Sequence, residues 1–164
     1  MASHLETELG KLRSAIIKIG NLAENQVFEA MGVLLSEPIS ERKEVKKTEN
    51  KIDKLDVKIE DICLGVFALQ QPVASDLRFI MSAMQISNEI ERIGDLSMSV
   101  IKLAKNITEK QDLMAKFKIA EIARAVETIT IKTNFCFQTL EVSTILEFFV
   151  LNMNLKEKYR KSFV

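Results

Sequence analysis

The chain has 164 residues, 28% of them charged, a formal net charge of zero, and only 5 glycines and 2 prolines. That length is ample for a packed core, and so few breakers exclude the many turns of a β-sandwich or barrel. The neutral balance, with no concentrated basic run, argues against a nucleic-acid partner, which needs a basic surface to displace counterions.

The first segment carries Leu5, Leu9, Leu12, Ile16, Ile19, Ala23, Val27, Ala30 and Leu34. Alternating steps of four and three put them on one seam of a very long helix. It ends near Ser36 to Ser40, where Pro38 disfavours helix in the residue before it. A second helix starts after Ser40, with Glu41 and Glu44 near its positive end. Its seam is Val45, Ile52, Leu55, Ile59, Ile62, Val66 and Leu69. Gln70-Gln71-Pro72 breaks it, and Pro72 is suited to open the third helix. That helix runs to about Asn106, with Leu77, Ile80, Met84, Ile90, Ile93, Val100 and Ala104 inward. Gly94 inside it points to a close helix contact or a local site. A fourth helix is expected from about Asp112 to Glu141, with Phe117, Ile122, Val126, Ile129, Thr133, Phe137 and Leu140 on its seam. A fifth is expected from about Ile145 to Ser162. The fold class is therefore all-α: an antiparallel bundle of long helices, each of roughly thirty residues spanning about 45 Å.

Cys63 and Cys136 lie far apart among apolar neighbours, which favours buried reduced thiols over a disulfide. No apolar stretch follows a basic segment near the start, so no signal peptide is expected. The most apolar window, Ile145 to Leu155, is interrupted by Glu147 and covers about half of what a bilayer requires. Any membrane role is expected to run through a partner.

Helix 2 carries Glu49, Asp53, Asp56 and Glu60 along one face, and helix 3 carries Glu91 and Asp95 four apart. If the two helices pair antiparallel about Pro72, Asp53 precedes the proline by as many residues as Glu91 follows it. The acidic patches then meet at one height, where oxygen ligands suit a hard divalent or trivalent cation. A second reading stays open: Lys46, Lys47, Lys51, Lys54 and Lys58 accompany the carboxylates, as on a solvated, salt-bridged face. Catalysis has little to work with. His4 is the single histidine, no Glu-x-x-His pair exists, and no Gly-rich phosphate loop is present.

Gln71-Pro72-Val73-Ala74-Ser75-Asp76-Leu77-Arg78 and Glu91-Arg92-Ile93-Gly94-Asp95 together resemble the PhoU family of phosphate-uptake regulators, and Glu49-Asn50-Lys51-Ile52-Asp53 fits its acidic helix 2 motif. The resemblance covers residues 5 to 108 well and runs on less distinctively to about 142. It implies a first three-helix repeat over 1–108 and a partial second repeat of two helices over 109–164. It also implies a cytoplasmic, non-enzymatic negative regulator of phosphate uptake and starvation signalling. Such an adaptor would link a phosphate ABC transporter ATPase to a membrane sensor kinase. The family's acidic motifs are associated with iron, zinc or other metal ions, which by position points to Glu49, Asp53, Glu91 and Asp95 as ligands. A metal-binding bundle for storage or sensing is the alternative function. Asp76 and Arg78 read as a helix-start cap or salt bridge, with a partner contact as the alternative; Arg92 offsets charge and Gly94 permits close approach at the acidic site.

The sequence departs from the family pattern at Ser99, where asparagine is common, and the second repeat lacks a Glu-Arg-x-Gly-Asp string and a sixth helix. Phe148, Phe149, Leu151, Leu155 and Tyr159 on helix 5 then need cover, so a homodimer through helices 4 and 5 is expected.

Overall fold

The computed structural model describes residues 4–35, 42–106 and 118–139, with the side chains of 42–44 set aside. Four helices account for them: α1 His4–Leu35, α2 Arg42–Leu69, α3 Ala74–Asn106 and α4 Ile119–Thr139. No strand occurs among the described residues, and the chain is an all-α helical bundle. No helix is long and apolar enough to cross a membrane among those residues. The fifth expected helix, the joint between α3 and α4, and the expected repeat boundary at 108/109 lie outside them.

The chain packs as two compact units. The first comprises Met1–Ala23 and Arg42–Leu96, the second Glu24–Glu41 and Ser97–Val164. In the first, α1 buries Leu12, Ala15, Ile16, Ile19 and Ala23, and α2 buries Val45, Ile52, Ile59, Cys63 and Val66. Apart from Ala15 and Cys63 these lie on the expected seams at helical spacing, while Leu5, Leu9, Leu55 and Ile62, also expected inward, are half-buried. α2 stops at Leu69, whose neighbour closes the last turn by a Gln70 N–H to Val66 O bond of 3.0 Å. Gln71 then takes φ 42°, a left-handed conformation that is costly for a side-chain-bearing residue. α3 opens at Ala74 rather than at Pro72, because the Val73 carbonyl is the one that accepts the Leu77 N–H at 2.9 Å.

The buried stripe of α3 departs from the expected one. Leu77, expected inward, is 39% exposed and Ile93 is 42% exposed. Ile80 and Ala104 are buried as expected, and Ala83, Ser87, Gly94, Ser97 and Ile101 are buried with them at helical spacing. Between Ile80 and Ile101 small residues hold the inner positions, which lets helix axes approach closely, while Leu77 and Ile93 sit on neighbouring, wetter rows. Leu69, expected on the α2 seam, is exposed for a different reason: it is the last residue of its helix, at the turn.

In the second unit, Val27, Ala30, Met31 and Val33 of α1 are buried, as are Ile101 and Ala104 of α3 and Ala123 and Cys136 of α4. α4 also buries two polar residues. Asn134 donates to Glu24 Oε2 at 2.5 Å, and Glu127 accepts from Arg124 Nη1 at 2.9 Å. The seam expected for α4 is only partly inward: Ile122, Val126, Ile129, Thr133 and Phe137 are half-buried. The helix is rich in threonine, and the hydroxyls of Thr128, Thr130, Thr133 and Thr139 each bond back to the carbonyl four residues earlier. That local pairing satisfies them without a tertiary partner.

Candidate functional site

Two hydrogen bonds index α2 against α3 within the first unit. Ser87 Oγ donates to Asp56 Oδ1 at 2.5 Å, and the Cys63 thiol lies 3.9 Å from the Ile80 carbonyl oxygen. Both pairs have residue numbers that sum to 143, so the helices run antiparallel with one fixed register. In that register Asp53 faces position 90 and Glu49 faces position 94. Asp53 and Glu91 therefore stand at one height, and Glu49 and Asp95 at another, one turn away.

The electrostatics follow from that alignment. Partial burial pushes the Glu91 carboxyl above its ordinary value of 4.5, and the negative charges of Asp95, Asp56 and Asp53 push it the same way. Like charges gathered at one spot disfavour ionisation of the most enclosed member. Glu49, half-buried a turn before Asp53, is not among the groups acting on Glu91; Asp56 is. Asp56 and its donor Ser87 are thus members of this site that the motif strings did not mark. Asp56 was visible as part of the four-carboxylate face of α2. Ser87 had a fainter signal, its place seven residues before Gly94 on a row of small residues.

The donor set, carboxylate oxygens throughout, is chemically suited to a hard cation. Its geometry does not form a ligand shell, however: among the described residues no three His, Cys, Asp or Glu side chains are grouped so as to hold a metal ion. The lysines of α2 that flank the carboxylates, Lys46, Lys51, Lys54 and Lys58, are exposed. Arg92 is also turned to solvent, 3.9 Å from the exposed Glu89, on the outer row of α3. A pair so exposed contributes little. Gly94, by contrast, is buried, on the row of small residues that α3 turns inward.

The remaining motif residues sit apart from the carboxylates. Asp76 lies in the first turn of α3, where an acid suits the positive helix end. It lines an open groove with Arg13 and Phe79, and the Arg13 guanidinium stands 5.6 Å from the centre of the Phe79 ring. His4 is 4.0 Å from Glu8, with its side chain 69% exposed. Cys63 and Cys136 are free and buried. Burial pushes the Cys63 thiol up to about 11, so at neutral pH it is protonated and a poor nucleophile.

Comparison with known proteins bears on the same stretch. A family model described as the PhoU domain matches residues 16–104. The phosphate-specific transport system accessory protein PhoU homolog of Aquifex aeolicus is 35% identical over 109 residues, 66% of this chain and 46% of that protein. Its counterpart in Pseudomonas aeruginosa is 30% identical over 110 residues, 67% of this chain and 46% of that protein. The PhoU protein of Escherichia coli is 27% identical over 104 residues, 63% of this chain and 43% of that protein. The chain thus spans less than half the length of these relatives.

Proposed function

This chain belongs to the PhoU family, and from that membership we propose that it is an accessory regulator of a phosphate-specific transport system. The observation that carries the reading is the family match over residues 16–104, which takes in α2, the turn after it and most of α3. In this reading the protein works in the cytoplasm by contact rather than by catalysis. It joins the ATPase of a phosphate ABC transporter to a membrane sensor kinase and restrains uptake and starvation signalling when phosphate is plentiful. The chemistry agrees: the one histidine is at an exposed helix start, and the Cys63 thiol is held protonated. Deleting the gene and following a phosphate-starvation reporter in phosphate-rich medium tests the proposal. The reporter is expected to switch on, and expression of this chain to switch it off again. A reporter that stays silent after deletion overturns the reading.

A second reading, metal binding by Glu49, Asp53, Glu91 and Asp95, is favoured by one observation, the crowding of negative charge about Glu91. A divalent cation such as iron or zinc would neutralise that crowding, provided the side chains were drawn closer together than they stand. Plasma mass spectrometry of the purified protein, beside an Asp53→Ala/Asp95→Ala variant, decides it. Stoichiometric metal lost in the variant supports the reading; no metal in either, after incubation with iron, zinc and manganese, ends it.

A further inference from the structure

We propose that a row of lysines on α2 docks on the anionic surface of a lipid bilayer, so that this chain touches the membrane directly and not only through a protein. Lys47, Lys51, Lys54 and Lys58 follow one another at steps of four, three and four, and all are exposed. Helical geometry sets them on one row about 17 Å long, roughly 160° around the helix from Glu49, Asp53, Asp56 and Glu60. The carboxylate row is the one turned to α3, where Asp56 accepts from Ser87 and Asp53 acts on Glu91. The two signs of charge on α2 are therefore segregated.

The lysines are also uncompensated. Among the described residues Lys51, Lys54 and Lys58 make no ion pair. Two acids, Glu8 and Asp61, line a groove with Lys58 at the end of the row. Glu8 is already engaged by Lys11 at 2.7 Å. His4 of α1 lines the same groove, and Lys11 and Lys18 follow it at steps of seven. Lys18, exposed, therefore extends the basic surface along the edge of α1 that borders α2.

The chemistry of the row selects its occupant. It holds lysines and no arginine. Arginine's planar fork is what suits pairing with protein carboxylates, and lysine is depleted from protein interfaces. A lysine ammonium is a compact, rotatable point charge, and clustered lysines on a helix face match the diffuse negative potential of an anionic leaflet. Val57 and Leu64, 56% and 53% exposed, stand on the solvent side between the two charged rows. Helices that lie on membranes pair lysines with such apolar side chains, which enter the headgroup boundary. No described helix is long and apolar enough to cross a bilayer, so the contact is with its surface. It needs no transporter component and stands apart from the adaptor reading.

The test is cosedimentation of the full chain with vesicles of phosphatidylglycerol and phosphatidylcholine, and with vesicles of phosphatidylcholine alone. The chain is expected to bind the anionic vesicles at low salt, to leave them at about 0.5 M salt, and to ignore the neutral ones. A lysine near an anionic surface contributes about fivefold in affinity, so Lys51→Gln/Lys54→Gln/Lys58→Gln is expected to weaken binding about a hundredfold. Lys102→Gln/Lys105→Gln/Lys118→Gln removes the same charge from exposed positions on α3 and before α4, and is expected to bind like the unaltered chain. All six side chains are exposed, so both variants are expected to keep the melting temperature, which separates loss of the surface from loss of the fold. No binding to anionic vesicles, undiminished binding by the row variant, or an equal loss in the control variant overturns the proposal. Binding to polyglutamate but not to the vesicles would assign the row to an acidic polypeptide and overturn it as well.

Discussion

Glu91 shows how much one side chain can record of its surroundings. Its carboxyl is pushed up by partial burial and by three neighbouring aspartates. The folded chain therefore keeps this proton to a higher pH than the unfolded chain does. Linkage sets the sign: this group favours the fold on the acid side and ceases to do so as pH rises through its folded value. Glu91→Gln is expected to flatten that dependence, so that melting temperatures at pH 5 and pH 7 lie closer together than in the unaltered protein. An unchanged difference between the two pH values would show that the crowding is relieved by solvent. The motif strings marked Glu91 and Asp95 and left Ser87 unmarked. A serine hydroxyl has no signature of its own until the helix opposite is known, and here it donates to Asp56.

At the scale of elements, helical periodicity was enough to place α1, α2 and α3 with their ends close to where the breakers put them. Seams built from Ile and Val were legible because those residues gain most from burial. On the inner row of α3, Ile80 and Ala104 were legible but Ala83, Ser87, Gly94 and Ser97 were not, because these carry little hydrophobic signal and are buried to let helices close up. Packing against the partner overrides the hydropathy of the row. This distinction has a measurable form. Ile59 is fully buried, and Ile59→Ala is expected to cost about 2–5 kcal/mol in denaturant unfolding. Leu77→Ala, on a residue read as core but 39% exposed, is expected to cost distinctly less. Equal losses at the two positions would mean that the α3 face is covered in solution.

For the whole molecule, the all-α class followed from the scarcity of breakers, while the companions of the bundle are a matter of exposed surface. Ile131 is 45% exposed and Phe135 51%, one turn apart on α4, the helix expected to join two chains. We propose that this face takes part in self-association. Sedimentation at micromolar concentration is expected to give a dimer, and Ile131→Glu with Phe135→Glu a monomer. A monomer before substitution ends the proposal. The shared register of α2 and α3 has a further consequence for what lengths of chain this fold tolerates. One residue added within Gln70–Val73 lengthens a turn and leaves every facing pair in place. One residue added between Ile80 and Ser87 rotates all that follows by about 100°. It would swing Ser87 away from Asp56, and Glu91 away from the aspartates of α2. In this repeat the turn is free to change its count, whereas the helices act as a ruler whose gradations cannot be renumbered.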